Sequence, residues 1–89
     1  MCTYATVRAA VAGSAKGPDG PWFGVTDATV YFDHPVHAMA DHTLNIDFAA
    51  PSRGPGARVA VELTAASARE LVKAIEAALA SAGPIASVS

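Results

Sequence analysis

Apolar and polar residues alternate along this chain with two different periods, which divide it into four strand-like segments followed by one helix. Over residues 2–11, Ala5, Val7, Ala9 and Val11 fall on one side while Tyr4, Thr6 and Arg8 fall on the other. That is the period-2 pattern of a half-buried strand. A second strand is expected from Trp22 to about Asp33, with Ala28, Val30 and Phe32 opposed to Thr29, Tyr31 and Asp33. The third runs from His42 to Ala49, with Leu44, Ile46 and Phe48 inward and Thr43, Asn45 and Asp47 outward. The fourth covers Ala57 to Leu63, with Val59, Val61 and Leu63 inward and Arg58, Ala60 and Glu62 outward. The stretch GSAKGPDGP separates the first two strands, and its Pro18-Asp19-Gly20 step is turn chemistry. APSRGPG forms the loop between the last two.

The period then changes. Ala68, Leu71, Val72, Ile75, Ala78, Leu79 and Ala82 recur at helical spacing and form one apolar stripe, with Arg69, Glu70, Lys73 and Glu76 on the other side. Thr64 can cap this helix, as can Ser67 with Glu70 in a capping box, and Gly83-Pro84 stops it. Strands in series with short connections favour an antiparallel sheet, and a terminal amphipathic helix can cover one of its faces. The expected fold is α+β, a four-stranded antiparallel sheet with one C-terminal helix (ββββα), in a single domain spanning residues 1–89.

Composition narrows the function classes. With 52% apolar and 16% charged residues the chain is not a disordered segment. Its apolar runs fall far short of the roughly 18 residues of a membrane span, so no membrane partner is expected. A net charge of -2 with scattered Lys and Arg argues against a nucleic-acid partner. No charged segment leads into an apolar one at the start, so the expected location is cytoplasmic. The one cysteine, Cys2, excludes an internal disulfide and reads as a small residue opening the first strand rather than as a nucleophile. GSAKG lacks the spacing of a phosphate-binding loop. Alanine accounts for 21 of the 89 residues, which makes the core light and a homodimer the expected assembly.

Candidate chemistry concentrates in DHPVHAMADH, which holds all three histidines, His34, His37 and His42. If the second and third strands pair with Phe32 opposite Leu44, His34 falls opposite His42 at the sheet end on the core-facing side. Two such imidazoles can share a proton, and an adjacent carboxylate can fix the tautomer. The catalytic candidates are therefore His34, His42, Asp33 and Tyr31. Substrate contacts are expected from Tyr4, Arg8, Asn45, Asp47 and Arg58 on the outer face and from His37 in the loop. The weaker alternative is a metal held by His34, His37 and His42, whose spacing matches no strong metal signature. No cofactor is implied.

The opening MCTYAT, then AGSAKG with WFGVTDATVYFDH, and later DHTLNIDF and GPGARVAVELTAASARELV span most of the chain. In these segments it resembles a group of roughly 90-residue bacterial proteins carrying a domain of unknown function. That resemblance implies a complete protein and no catalytic residues to carry over; Pro21 before Trp22 departs from its pattern. The leading expectation is a stand-alone enzyme acting on an organic metabolite by His/Asp proton transfer, as an isomerase, cyclase or dehydratase does. The alternative is a non-catalytic dimeric binding or accessory protein that uses the open sheet face.

Overall fold

Alternation in the sequence places the strands, and cross-strand pairing shows how they fit together. The structure is a computed structural model that describes residues 5–33 and 42–83. In chain order its elements are β1 (Thr6–Ala15), β2 (Phe23–Asp33), β3 (Thr43–Ala49), a short 3-10 turn (Pro51–Arg53), β4 (Arg58–Leu63) and α1 (Ala65–Ala82). The four strands form one antiparallel sheet in the order β1-β2-β3-β4. The fold is the ββββα arrangement expected from the sequence.

The β2–β3 register opposes Phe32 to Leu44, Val30 to Ile46 and Ala28 to Phe48, as the alternation predicts. Its apolar rows continue onto β4, where Leu63, Val61 and Val59 lie beside Leu44, Ile46 and Phe48. On the other side Val7 and Ala9 of β1 lie beside Val30 and Ala28. The alternate residues Thr6, Tyr31, Asn45 and Glu62 make a polar row on the opposite face, and Arg8, Thr29, Asp47 and Ala60 make the next.

β1 departs from the sequence reading at its far end. Gly13, Ser14 and Ala15, assigned above to the turn, continue the strand. Ala10 pairs with Asp27 and Gly13 with Val25, so Val11 and Ala12 stand opposite the single residue Thr26. This is a β-bulge, which breaks the alternation that the sequence carries through Val11. Between β3 and β4, Gly54 closes the Pro51–Arg53 turn at φ 100, a backbone conformation that side chains other than glycine avoid.

α1 follows β4 after one residue, Thr64. Its Oγ1 accepts a hydrogen bond from the Ser67 backbone N–H at 3.1 Å and donates to Ser67 Oγ at 2.9 Å. Of the two caps the sequence offers, Thr64 therefore takes the role. Gly83 ends the helix at φ 67, its N–H donating to the Ala80 carbonyl. The helix covers the sheet less than expected. Ala68 is its one buried residue, and every position from Arg69 to Gly83 is exposed. The one-residue connection anchors the first turns at the β3–β4 end, and the apolar stripe runs on beyond the contact. Among the described residues no helix is long and apolar enough to cross a membrane.

Removing the cap should be measurable. Thr64→Ala is expected to lower unfolding stability by about 1 kcal/mol in urea titrations followed by helical circular dichroism. Thr64→Asp should keep most of it, and equal losses in both variants would count against the capping role.

Candidate functional site

The sheet divides the candidate residues between its two surfaces. On the helix side, Phe32 of β2 and Leu44 of β3 face Ala65, Ala68, Arg69 and Val72 of α1 across a cavity of about 310 Å³. All but one of these side chains are apolar. The exception is Arg69, which takes part in no ion pair or hydrogen bond among the described residues. His42 sits beside this cavity. Its ring stacks on Phe32 with centroids 5.7 Å apart and an interplanar angle of 13°. The stack agrees with the helix-side position that strand alternation gives His42.

The outer surface is built differently. Thr43 is completely buried and Asn45 nearly so, although the sequence reading expects both on an open face. They stand on central strand β3, where Asn45 lies between Tyr31 of β2 and Glu62 of β4. Short side chains between longer neighbours lose their access to water. Thr43 Oγ1 donates to Asn45 Oδ1 at 2.8 Å, a bond that satisfies both groups inside the sheet. One row further along, Arg58 Nη2 lies 2.9 Å from Asp47 Oδ1. Asn45, Asp47 and Arg58, expected as substrate contacts, are thus each engaged with the protein's own side chains. Arg8 is exposed on the same surface, in the row of Thr29 and Asp47.

The catalytic set expected from the sequence is only partly assembled. Asp33 pairs with Thr43 and Tyr31 with Asn45, on the face opposite to Phe32 and His42. The sheet therefore separates Tyr31, Asn45 and Asp47 from His42, and these groups do not converge on one reacting atom. His34, His37 and Tyr4 lie outside the described residues, as does Cys2. The His34–His42 pair and the three-histidine metal alternative therefore fall there too. Among the described residues no three His, Cys, Asp or Glu side chains are grouped to hold a metal.

Arg69 is the residue that the sequence reading misplaced. Grouped there with Glu70, Lys73 and Glu76 on the polar side, it instead forms part of the cavity wall. Helical geometry carried the signal, because a residue three positions before Val72 lies only about 60° around the axis from it. Glu70 and Lys73 pair with each other at 3.1 Å, which leaves Arg69 out of that ion pair.

Residues 1–87 match a family of unknown function, DUF6295, and the chain belongs to that family. No curated protein and no solved structure matches the chain.

The buried Thr43–Asn45 bond can be tested by its asymmetry. Thr43→Val should cost about 1–3 kcal/mol of stability, since it leaves Asn45 Oδ1 buried without its donor. In a Thr43→Val, Asn45→Val double variant the urea-unfolding loss should be smaller than the sum of the single losses. Strict additivity would show that the two side chains do not depend on each other.

Proposed function

We propose that this member of the DUF6295 family is a small binding protein whose ligand is a carboxylate with an apolar body. The cavity between the first turns of α1 and the β2–β3 strands supports this reading, with Arg69 as its charged wall residue. Phe32, Leu44, Ala65, Ala68 and Val72 favour an apolar body by removing it from water. The Arg69 guanidinium provides donors in the planar fork that suits a carboxylate. A volume near 310 Å³ lies at the small end of known ligand sites and matches a small organic acid better than a macromolecular segment. The chain's single cysteine fits a reducing, cytoplasmic setting.

A second reading, acid–base catalysis in the same cavity, is favoured by the stacking of His42 on Phe32. This contact puts an imidazole beside the ring that lines the cavity. In this reading Arg69 holds the carboxylate, and His42 takes a proton from the carbon next to it. The electron pair of the broken C–H bond moves into the carboxylate as an enediolate whose charge Arg69 stabilises. The outer-face residues play no part in this chemistry.

Octanoate and octanol, tested by displacement of a fluorescent apolar dye, distinguish a charged site from a merely greasy one. Octanoate should bind saturably, and Arg69→Gln should weaken it at least tenfold while leaving octanol unchanged. Equal effects on acid and alcohol, or no saturable binding, would remove the carboxylate site. For the catalytic reading, small carboxylic acids incubated in deuterated buffer should exchange their α-hydrogens, as followed by NMR. His42→Gln should abolish this exchange without changing octanoate affinity, and an absence of exchange leaves the protein as a binder only.

A further inference from the structure

The sheet ends at β4, and the charges of that strand are complementary to themselves. We propose that the open edge of β4 pairs antiparallel with β4 of a second copy, about a two-fold axis at Ala60, so that two sheets become one. The pairing goes beyond the cavity and does not depend on a ligand there.

Backbone geometry opens this edge. Among the described residues β4 has a strand on one side only, β3. The Ala50 N–H donates to the Ala57 carbonyl at 3.0 Å, which sets the phase of the ladder between the two strands. Bonded and non-bonded residues alternate in an antiparallel pair. Val59, Val61 and Leu63 therefore bond to β3, while Arg58, Ala60 and Glu62 direct their N–H and C=O groups to the open side. The Arg58 N–H accordingly donates to the Gly56 carbonyl and not to β3. RVAVEL contains no proline and runs without a bulge against β3, so nothing in the strand itself blunts the edge. The side of α1 that lines the cavity faces Phe32 and Leu44, inward from β4.

Side chains then identify the occupant. With Ala60 opposite its own copy, Arg58 of each chain stands opposite Glu62 of the other on the outer face, and opposite charges meet on both sides of the axis. On the helix side Val59 meets Val61, which is 36% exposed in the single chain. The outward groups of Arg58, Ala60 and Glu62 all find partners in this register. Centring the pair on Val59 instead would set Glu62 against Gly56, and centring it on Val61 would set Arg58 against Thr64. The other open edge is a poor rival, because β1 holds no carboxylate to face Arg58 and its bulge breaks the ladder. Arg58 Nη2 stays 2.9 Å from Asp47 Oδ1. The guanidinium carries further N–H donors, so it can serve both carboxylates. Exposed ion pairs are weak, so the charges select the register while backbone bonds and valines hold it.

Sedimentation equilibrium of the untagged chain, from below one micromolar to hundreds of micromolar, tests the pairing. The wild type should reach twice the chain mass. A monomer at every concentration, or masses that grow past the dimer, overturns the proposal. Arg58→Glu and Glu62→Arg each set like charges against each other, and each alone should raise the dissociation constant at least tenfold. Mixing the two variants should restore a dimer containing one chain of each, because opposite charges then face each other again. Lys16→Glu, the same charge change away from β4, should leave the constant unchanged. A dimer indifferent to both β4 variants overturns the proposal, and so does a mixture that stays monomeric. If either β4 variant fails to fold, amide hydrogen exchange of the wild type decides the matter. Slow exchange at Ala60 and Glu62 that is lost on dilution supports the edge pairing, and fast exchange at both in the dimer overturns it.

Discussion

The pairing of β2 with β3 is the constraint on which the rest of this structure depends. Because side chains alternate strictly across a sheet, opposing Phe32 to Leu44 decides the face of every other residue on both strands. β1 and β4 then inherit their faces from these two. A slip of one position would bring Asn45 and Asp47 to the helix side and send Leu44, Ile46 and Phe48 to the other. Each large apolar side chain displaced in that way costs about 1.5–3 kcal/mol, more than any single polar contact in the molecule returns. The same alternation determines which groups can do chemistry together: His42 and Arg69 lie on one side of the sheet, and Tyr31 and Asp47 on the other.

Much of this was legible in the sequence because it is local. Strand alternation gave the faces, and the hairpin register followed from matching two apolar sets over a short span. Thr64 and Gly83 bracket α1 because caps and stops act within one turn of the helix. The β1 bulge was not legible, since Val11 and Ala12 satisfy a regular strand pattern and nothing in their side chains marks the extra residue. The burial of Thr43 and Asn45 also escaped the reading. Periodicity tells which way a residue points, but how much water reaches it depends on the neighbours across the sheet. The helix stripe shows the same division, because its spacing marks an apolar face and is silent about what covers it.

The polar groups of the two faces have different relations to solvent and therefore different uses. On the outer face, Thr43 with Asn45 forms a short contact within β3, and Asp47 with Arg58 forms one that joins β3 to β4. Such satisfied pairs make a sheet rigid and leave little capacity to recognise anything else. On the helix side, Arg69 stands against apolar walls with no protein partner among the described residues. A cation in that position gains more from an incoming anion than one already paired, because no existing ion pair has to be broken first.

An antiparallel sheet in the order β1-β2-β3-β4 ends in two open edges, and the bulge in β1 changes what one of them can do. An uninterrupted edge strand presents a row of free backbone groups on which a foreign strand can assemble, the first step towards fibrous aggregation. With Val11 and Ala12 set against one partner residue, the hydrogen-bonding groups of β1 fall out of step halfway along it. A straight incoming strand can match the half before the bulge or the half after it, but not both. A chain with this much alanine and no disulfide thus carries in its first strand a built-in barrier to unlimited growth by strand addition.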